Sequence, residues 1–180
     1  GHSFRTSSDT EVLLNAYVEW GVRCVERFRG MFGFALWDDK RQRLILARDH
    51  FGKKPLFIAE AGGRILFGSE IKALLAFGDL APALDRASLA DYFVYRYVPA
   101  PHSLFAGIRK LMPGSYAVWE RGNLTEDFSR QDQVEDRAAP ARGRGIDPHR
   151  ARHKNAKAAS LISFAEQNGA FANRLGHRAR

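Results

Sequence analysis

The chain is short of several things that small proteins commonly use, and each shortage excludes something. It has one cysteine, Cys24, in 180 residues, so no intrachain disulfide can form, which agrees with a reducing compartment. No apolar run approaches the roughly 20 residues that a membrane helix needs, and no basic-then-apolar leader opens the sequence. A soluble, cytoplasmic protein with no membrane partner is the expectation. The six histidines keep no metal-ligand spacing: His50 lies in a charged turn, and His149, His153 and His177 are scattered through the tail as a weak set at best. No metal site is expected.

A basic face is also lacking in the part that reads as folded. The formal charge is +8, but residues 1–128 hold 17 Lys plus Arg against 15 Asp plus Glu, whereas residues 129–180 hold 11 against 5. The positive charge therefore belongs to the tail. With no aromatic platform or recognisable binding motif beside it, nucleic acid is not an expected partner.

What is present is apolar and patterned. A hydrophobic content of 45% and an aromatic content of 12% in a chain of this length describe one globular unit with a proper core. Ser8-Asp9-Thr10-Glu11 has capping-box spacing, with Ser8 accepting the amide three residues on and Glu11 reaching back to the Ser8 amide. Leu13, Ala16, Tyr17 and Trp20 follow at helical spacing up to Gly21, which predicts a helix over 9–20. A second short helix over 22–28 would bury Val22, Val25 and Phe28.

From Met31 the period changes from helix to strand. Phe32, Phe34 and Leu36 point one way and Met31, Ala35 and Trp37 the other, so this strand should lie between two layers. A polar turn over 38–42 returns the chain through 44–48. Residues 56–59 and 65–68 then form a hairpin about Gly62-Gly63. Ser69 is the expected cap of a helix carrying Ile71, Leu74 and Leu75 inward and closing at Gly78. Asp85 is the expected cap of another, with Leu89, Tyr92 and Phe93 as its core face. Pro99 and Pro101 keep 97–101 extended, and 115–119 reads as a further strand. The fold class is α+β.

Between the apolar segments lies Arg48-Asp49-His50-Phe51-Gly52-Lys53-Lys54, the charged turn about which the rest is arranged. Gly52 supplies a positive φ or a close approach, Pro55 fixes a strand entrance, and the neighbouring charges serve to hold the turn. Beyond Phe128 periodicity fails: residues 129–157 are rich in Arg, Ala, Asp, Gln, Gly and Pro, and only 158–165 has the composition of a short helix.

The segments FRTSSDTEVLLNAYVEWG, RFRGMFGFALWDD, LILARDHFGKKPLF, ILFGSEIKALL and YVPAPHSLFAGIRKLMPGSY together resemble the glutamine-hydrolysing domain of the glutamine-dependent asparagine synthetases. Other class II glutamine amidotransferases share the first few, and the segment over 97–116 carries the choice. The resemblance implies a four-layer αββα sandwich of the N-terminal-nucleophile amidohydrolase type, here incomplete at its N-terminus. It implies a partial amidotransferase domain over 1–124, with an exit linker over 97–114, followed by a basic, disordered tail over 125–180. In that family an amino-terminal cysteine attacks the glutamine amide with its own α-amino group as base, which suits an amine titrating near 8 and a thiol near 8.5. The opening Met-Cys-Gly and Asn-Gly-Glu segments are expected upstream of Gly1 and the ATP loop downstream. The tail's composition is also what a GC-rich gene gives in a shifted frame, with the shift expected between Gly122 and Asp132.

Cys24 does not match the nucleophile: it sits within a predicted helix, without an α-amino base, and reads as a buried structural thiol. No catalytic residue is therefore assigned. Asp9 matches the family aspartate that binds the α-amino group of L-glutamine by a charge-assisted contact; the competing reading is that it only complements the helix dipole. Arg48, Asp49, Ser69 and Glu70 also match family positions and are read as structural. The resemblance implies ATP and Mg2+ for the intact enzyme and no cofactor in this chain, with L-glutamine, the synthetase domain and a second copy of the intact enzyme as partners. The reading is part of such a synthetase, inactive by itself. Two alternatives stay open: a non-catalytic glutamine-pocket or interaction module with a basic tail, and an amidotransferase with a different acceptor.

Overall fold

The computed structural model describes residues 4–78, 80–81 and 83–129, together with the backbone of 162–163. The three tail histidines lie outside these residues, and so does most of the expected disordered tail over 125–180; residues 125–128, at the start of that expected tail, are instead the end of a strand paired with residues 115–118.

Two antiparallel sheets form the body. In the first, β1 (Gly33–Asp38), β2 (Arg43–Arg48), β6 (Ser115–Glu120), β7 (Asn123–Phe128) and β8 (Ile162–Ser163) stand in the order β7-β6-β2-β1-β8. In the second, β3 (Phe57–Ala61), β4 (Arg64–Gly68) and β5 (Ile108–Lys110) stand in the order β4-β3-β5. The helices are α1 (Asp9–Trp20), a 3-10 helix over Gly21–Arg27, α2 (Ile71–Leu75) and α3 (Arg86–Tyr95). The α+β class holds.

Strand alternation decides what packs on what. Ala35, Leu44, Leu46, Ala117 and Trp119 of the first sheet meet Leu56, Ile58, Ile65 and Phe67 in one buried cluster between the sheets. The opposite face of the first sheet, Phe34, Leu36, Ile45 and Ala47, is covered by Leu13 and Ala16 of α1 and by Cys24 and Val25 of the 3-10 helix. On the far side of the second sheet, Ala59, Leu66 and Ile108 pack against Ala73 and Leu74 of α2. The first sheet is thus apolar on both faces, as the alternation in β1 predicts. Each fully buried Leu or Ile there contributes about 1.5–3 kcal/mol.

Turn chemistry sets the registers. Gly62 and Gly63 both have positive φ, +55° and +69°, and join Ala61 to its partner Arg64 by a two-residue turn. Arg121 and Gly122, at +53° and +82°, do the same between Glu120 and Asn123. That second hairpin is invisible in the hydrophobic pattern because β7 is almost wholly exposed.

Several expectations need correction. The Ser8 hydroxyl accepts from Thr10 rather than from residue 11, and Glu11 reaches past Ser8 to the amides of Arg5 and Thr6. The second helix is 3-10, ends at Arg27 and fully buries only Cys24 and Val25. Met31 is exposed, since β1 begins two residues later. Glu70, not Ser69, precedes α2, and no side chain caps it. Asp85 does cap α3, but Tyr92 and Phe93 face outward and only Ser88 is buried. In the tail, Ile162 and Ser163 are strand rather than helix, paired with Ala35 and Phe34.

Gly52 provides a test of the packing. Its φ is +61°, and an added Cβ would lie 2.9 Å from Pro113 Cγ and 3.0 Å from Arg48 Cζ, whereas Gly62 has a similar φ and nothing nearer than Arg64 Nη2 at 4.0 Å. Gly52→Ala should destabilise by roughly 1 kcal/mol or more beyond Gly62→Ala. Equal denaturation midpoints for the two variants would show that the crowding carries no weight.

Candidate functional site

Two places in the fold hold the residues singled out by sequence. The first is the start of α1. The Ser8 Oγ accepts from the Thr10 N–H at 3.2 Å, and the Glu11 carboxylate accepts from Arg5 N at 2.8 Å, Thr6 N at 2.7 Å and Thr6 Oγ1 at 2.6 Å. The hydrogen bond from the Thr6 hydroxyl, followed by that from the Arg5 amide, holds Glu11 below the usual carboxylate range. The chain entering α1 is thereby braced against the helix. Asp9 is the first helical residue, exposed, and among the described residues no donor reaches its carboxylate.

The second place is the charged turn. Arg48 is 9% exposed and Asp49 fully buried, yet they do not pair with each other. The Arg48 guanidinium donates to the carbonyls of Lys54, Leu111 and Gly52 at 2.7–2.8 Å. Burial pulls it below its ordinary value while Asp49 opposes this. The Asp49 carboxylate accepts from the amides of Phe51, Lys53 and Lys54 at 2.9–3.1 Å. Every one of these bonds is internal to the turn and its neighbours, so both side chains are committed to holding it. His50 sits edge-on to Phe32, with its Nδ1 3.4 Å from Ser129 Oγ and its buried Nε2 without a partner among the described residues. Glu70 pairs with exposed Lys72, and Ser69 is partly buried beside it.

The structure does not draw these residues into one constellation. Asp9 stands on the helical layer and Arg48-Asp49 at the end of β2, and no hydrogen bond among the described residues joins them. Cys24 is buried beneath α1, and burial pushes its thiol up to about 11. A thiol held so high is almost wholly protonated at neutral pH and is no nucleophile.

A cleft of about 540 Å3 that pattern reading does not anticipate lies between β3, β5 and the loop over 102–107, lined by Glu60, Asp85, His102, Ser103, Phe105 and Arg109. Its polar groups are partly engaged: Ser103 Oγ donates to Ile108 O, Asp85 caps α3, and Arg109 is bonded to Glu126. Nothing periodic marks that loop, which is why pattern reasoning passes over it. Among the described residues no group of three or more His, Cys, Asp or Glu could hold a metal ion. Gly62-Gly63 closes a hairpin instead of leading into a helix N-terminus.

Comparison with known proteins defines the class. Residues 1–130 match the glutamine amidotransferase domain family, and the chain belongs to it. Among its relatives, "Asparagine synthetase [glutamine-hydrolyzing] 3" of Bacillus subtilis is 42% identical over 125 residues, covering 69% of this chain and 20% of the relative. A "Putative asparagine synthetase [glutamine-hydrolyzing]" of Mycobacterium tuberculosis is 43% identical over 120 residues, covering 65% and 18%. "Amidase chyE" of Penicillium rubens is 36% identical over 124 residues, covering 69% and 18%. The chain thus spans about a fifth of the length of the curated relatives it matches. No helix among the described residues is long and apolar enough to cross a membrane.

Two outcomes follow from this geometry. Asp49→Ala removes the acceptor of three part-buried amides and should lower stability by about 2–3 kcal/mol in a denaturant titration; a loss under 1 kcal/mol would show that the turn does not depend on it. For Cys24, a folded pKa raised to about 11 means that the unfolded chain ionises first, near 8.5. The contribution of Cys24 to stability should therefore be constant below pH 8 and fall as pH rises from there toward 11, and a Cys24→Ala chain should lack that part of the alkaline loss. Disulfide-exchange reagents at pH 8 should label Cys24 only once the protein is unfolded.

Proposed function

We propose that these residues are part of the glutamine-hydrolysing half of a glutamine-dependent asparagine synthetase, the half that releases ammonia from L-glutamine for amidation of aspartate elsewhere in the enzyme. The observation that carries this reading is the 42% identity over 125 residues to a glutamine-hydrolysing asparagine synthetase. The order of layers supports the finer fold assignment: α1 with the 3-10 helix, then the two sheets, then α2, is the succession of an αββα sandwich of the N-terminal-nucleophile amidohydrolases.

Within this reading Asp9 binds the α-amino group of L-glutamine. Its carboxylate is exposed and, among the described residues, unpaired on a braced helix start, so an incoming ammonium gains a partner without breaking a described internal bond. Cys24 takes no part in the chemistry, and the 180 residues alone do not hydrolyse glutamine. ATP and Mg2+ act with the synthetase portion, and no step through them is derived from these residues. The intact enzyme works in the cytoplasm as a homodimer. The fungal relative called an amidase keeps a different acceptor as the second reading.

Two measurements test this. Ammonia release from L-glutamine by the 180-residue chain should stay at background; turnover would overturn the reading by making a residue present here competent. L-Glutamine should shift the amide resonances at the start of α1, weakened about tenfold or more in Asp9→Ala, because a charge-assisted hydrogen bond is worth about 1.5–3 kcal/mol. An analogue without the α-amino group should give no such shifts. Equal responses from Asp9→Ala and the unaltered chain would remove Asp9 from the site.

A further inference from the structure

The cleft between β3, β5 and the loop over 102–107 opens where the second sheet's ladder stops. Ala59 pairs with Ile108, the first residue of β5. Gly107, one residue back, has a φ of +76° and turns the chain away, and an added Cβ there would meet nothing within 4 Å. Glu60, which follows Ala59 on β3, therefore has no side chain across from it on that strand. The room left beside its carboxylate belongs to the cleft, whose volume of about 540 Å3 is in the range of small-ligand sites.

The charges on its walls do not balance. Asp85 is engaged as the cap of α3, its carboxylate accepting from the Ala87 amide and the Ser88 hydroxyl. Arg109 reaches across to Glu126 of β7, so its charge is already met. The Ser103 hydroxyl is taken up by the backbone of its own loop. Glu60 is exposed, and among the described residues its carboxylate has neither a hydrogen bond nor an ion pair. Beside these groups the lining is apolar, with Ile58, Ala59 and Ile108 buried and Phe105 and Leu124 half-buried.

We propose that this cleft binds a small organic cation of the alkylguanidinium class, with its charged head on Glu60 and its alkyl body along Phe105 and Leu124. The sign follows from the surplus: Glu60 and Asp85 are both negative and Arg109 is met by Glu126, so an anion is repelled. The apolar body follows from the lining, which offers a bare metal ion nothing; among the described residues no three ligating side chains converge. The planar head follows from the free carboxylate, which can accept two parallel hydrogen bonds from it, and from the aromatic ring beside it. Because Glu60 is open to water, a dissociation constant on the order of 1–10 mM is expected. The inference does not depend on the glutamine reading: Asp9 lies on α1, which packs on the first sheet, and takes no part in the cleft.

Titrating n-butylguanidinium chloride into the full 180-residue chain, at constant ionic strength and at pH 8, above the ordinary histidine range so that His102 adds no charge, should shift the amide resonances of Glu60, Phe105 and Gly107 and saturate. Pentanoate, a similar body with the opposite charge, should leave them in place. Glu60→Gln, an isosteric change at an exposed side chain, should weaken binding of the cation at least tenfold while the rest of the spectrum stays as it was. Asp9→Ala should bind it as the unaltered chain does, which separates this site from the start of α1. The proposal is overturned by an absence of shifts well above the expected constant, by an equal response to pentanoate, by undiminished binding in Glu60→Gln, or by loss of the cleft shifts in Asp9→Ala.

Discussion

Two adjacent buried charges at the end of β2 hold the two sheets in their relation to each other. Arg48 belongs to the first sheet, but its three acceptors are Gly52 in the turn, Lys54 on the way into β3, and Leu111 just after β5. The Leu111 amide in turn donates to Leu56 O. One side chain therefore ties the first sheet to both segments that enter or leave the second. Burying a guanidinium is expensive in desolvation, and three well-directed carbonyls offset it. Asp49 does the complementary work, collecting amides that the tight turn would leave without partners. A neutral pair of similar size could fill the space but could not satisfy that many backbone groups.

The two sheets can accept this fixed relation because the first is apolar on both faces. Alternate residues of β1 and β2 feed the inter-sheet cluster and the helical cluster in turn. A slip of one residue would exchange the two sets. The polar hairpin between these strands resists such a slip: Asp38 accepts from the Arg41 amide and guanidinium and from the Tyr17 hydroxyl at 2.6 Å. Burial and that hydrogen bond push the tyrosine well above its usual range. The hairpin turn is thereby fastened to the helical layer as well as to its own sheet.

Elements whose side chains are buried at a regular period were legible in the sequence. α1, β1, β2 and the β3–β4 hairpin have their expected types with ends shifted by a residue or two, because burial imposes the period that pattern reading detects. β7 was not, since an exposed strand needs no alternation, and its turn is Arg-Gly instead of a stronger hairpin dipeptide. α3 was legible as a helix from its Asp85 cap, but its core face was misread: Leu89, Tyr92 and Phe93 look inward only if something inside awaits them. Of the candidate site, the family residues could be found, but their roles could not. Buried Arg48 and exposed Asp9 are both charged residues in family-like motifs, and only burial and hydrogen-bond partners separate a clamp from an available carboxylate.

On the proposed reading, the surroundings of Asp9 make its charge, and not only its hydrogen-bonding capacity, matter to an amino-acid ligand. The start of α1 carries the positive end of the helix dipole, equivalent to roughly half an elementary charge, which by itself repels an ammonium group. Glu11, also ionised in the first turn, opposes the dipole as well, but its carboxylate already accepts three hydrogen bonds from Arg5 and Thr6. Asp9 adds a second negative charge there and keeps its acceptor capacity for a cation. An asparagine there would keep an oxygen acceptor but remove that charge, so the attraction toward a cation would weaken. The bracing by Glu11 adds to this effect: a carboxylate fixed at one place on a rigid helix start loses little freedom when an ammonium arrives.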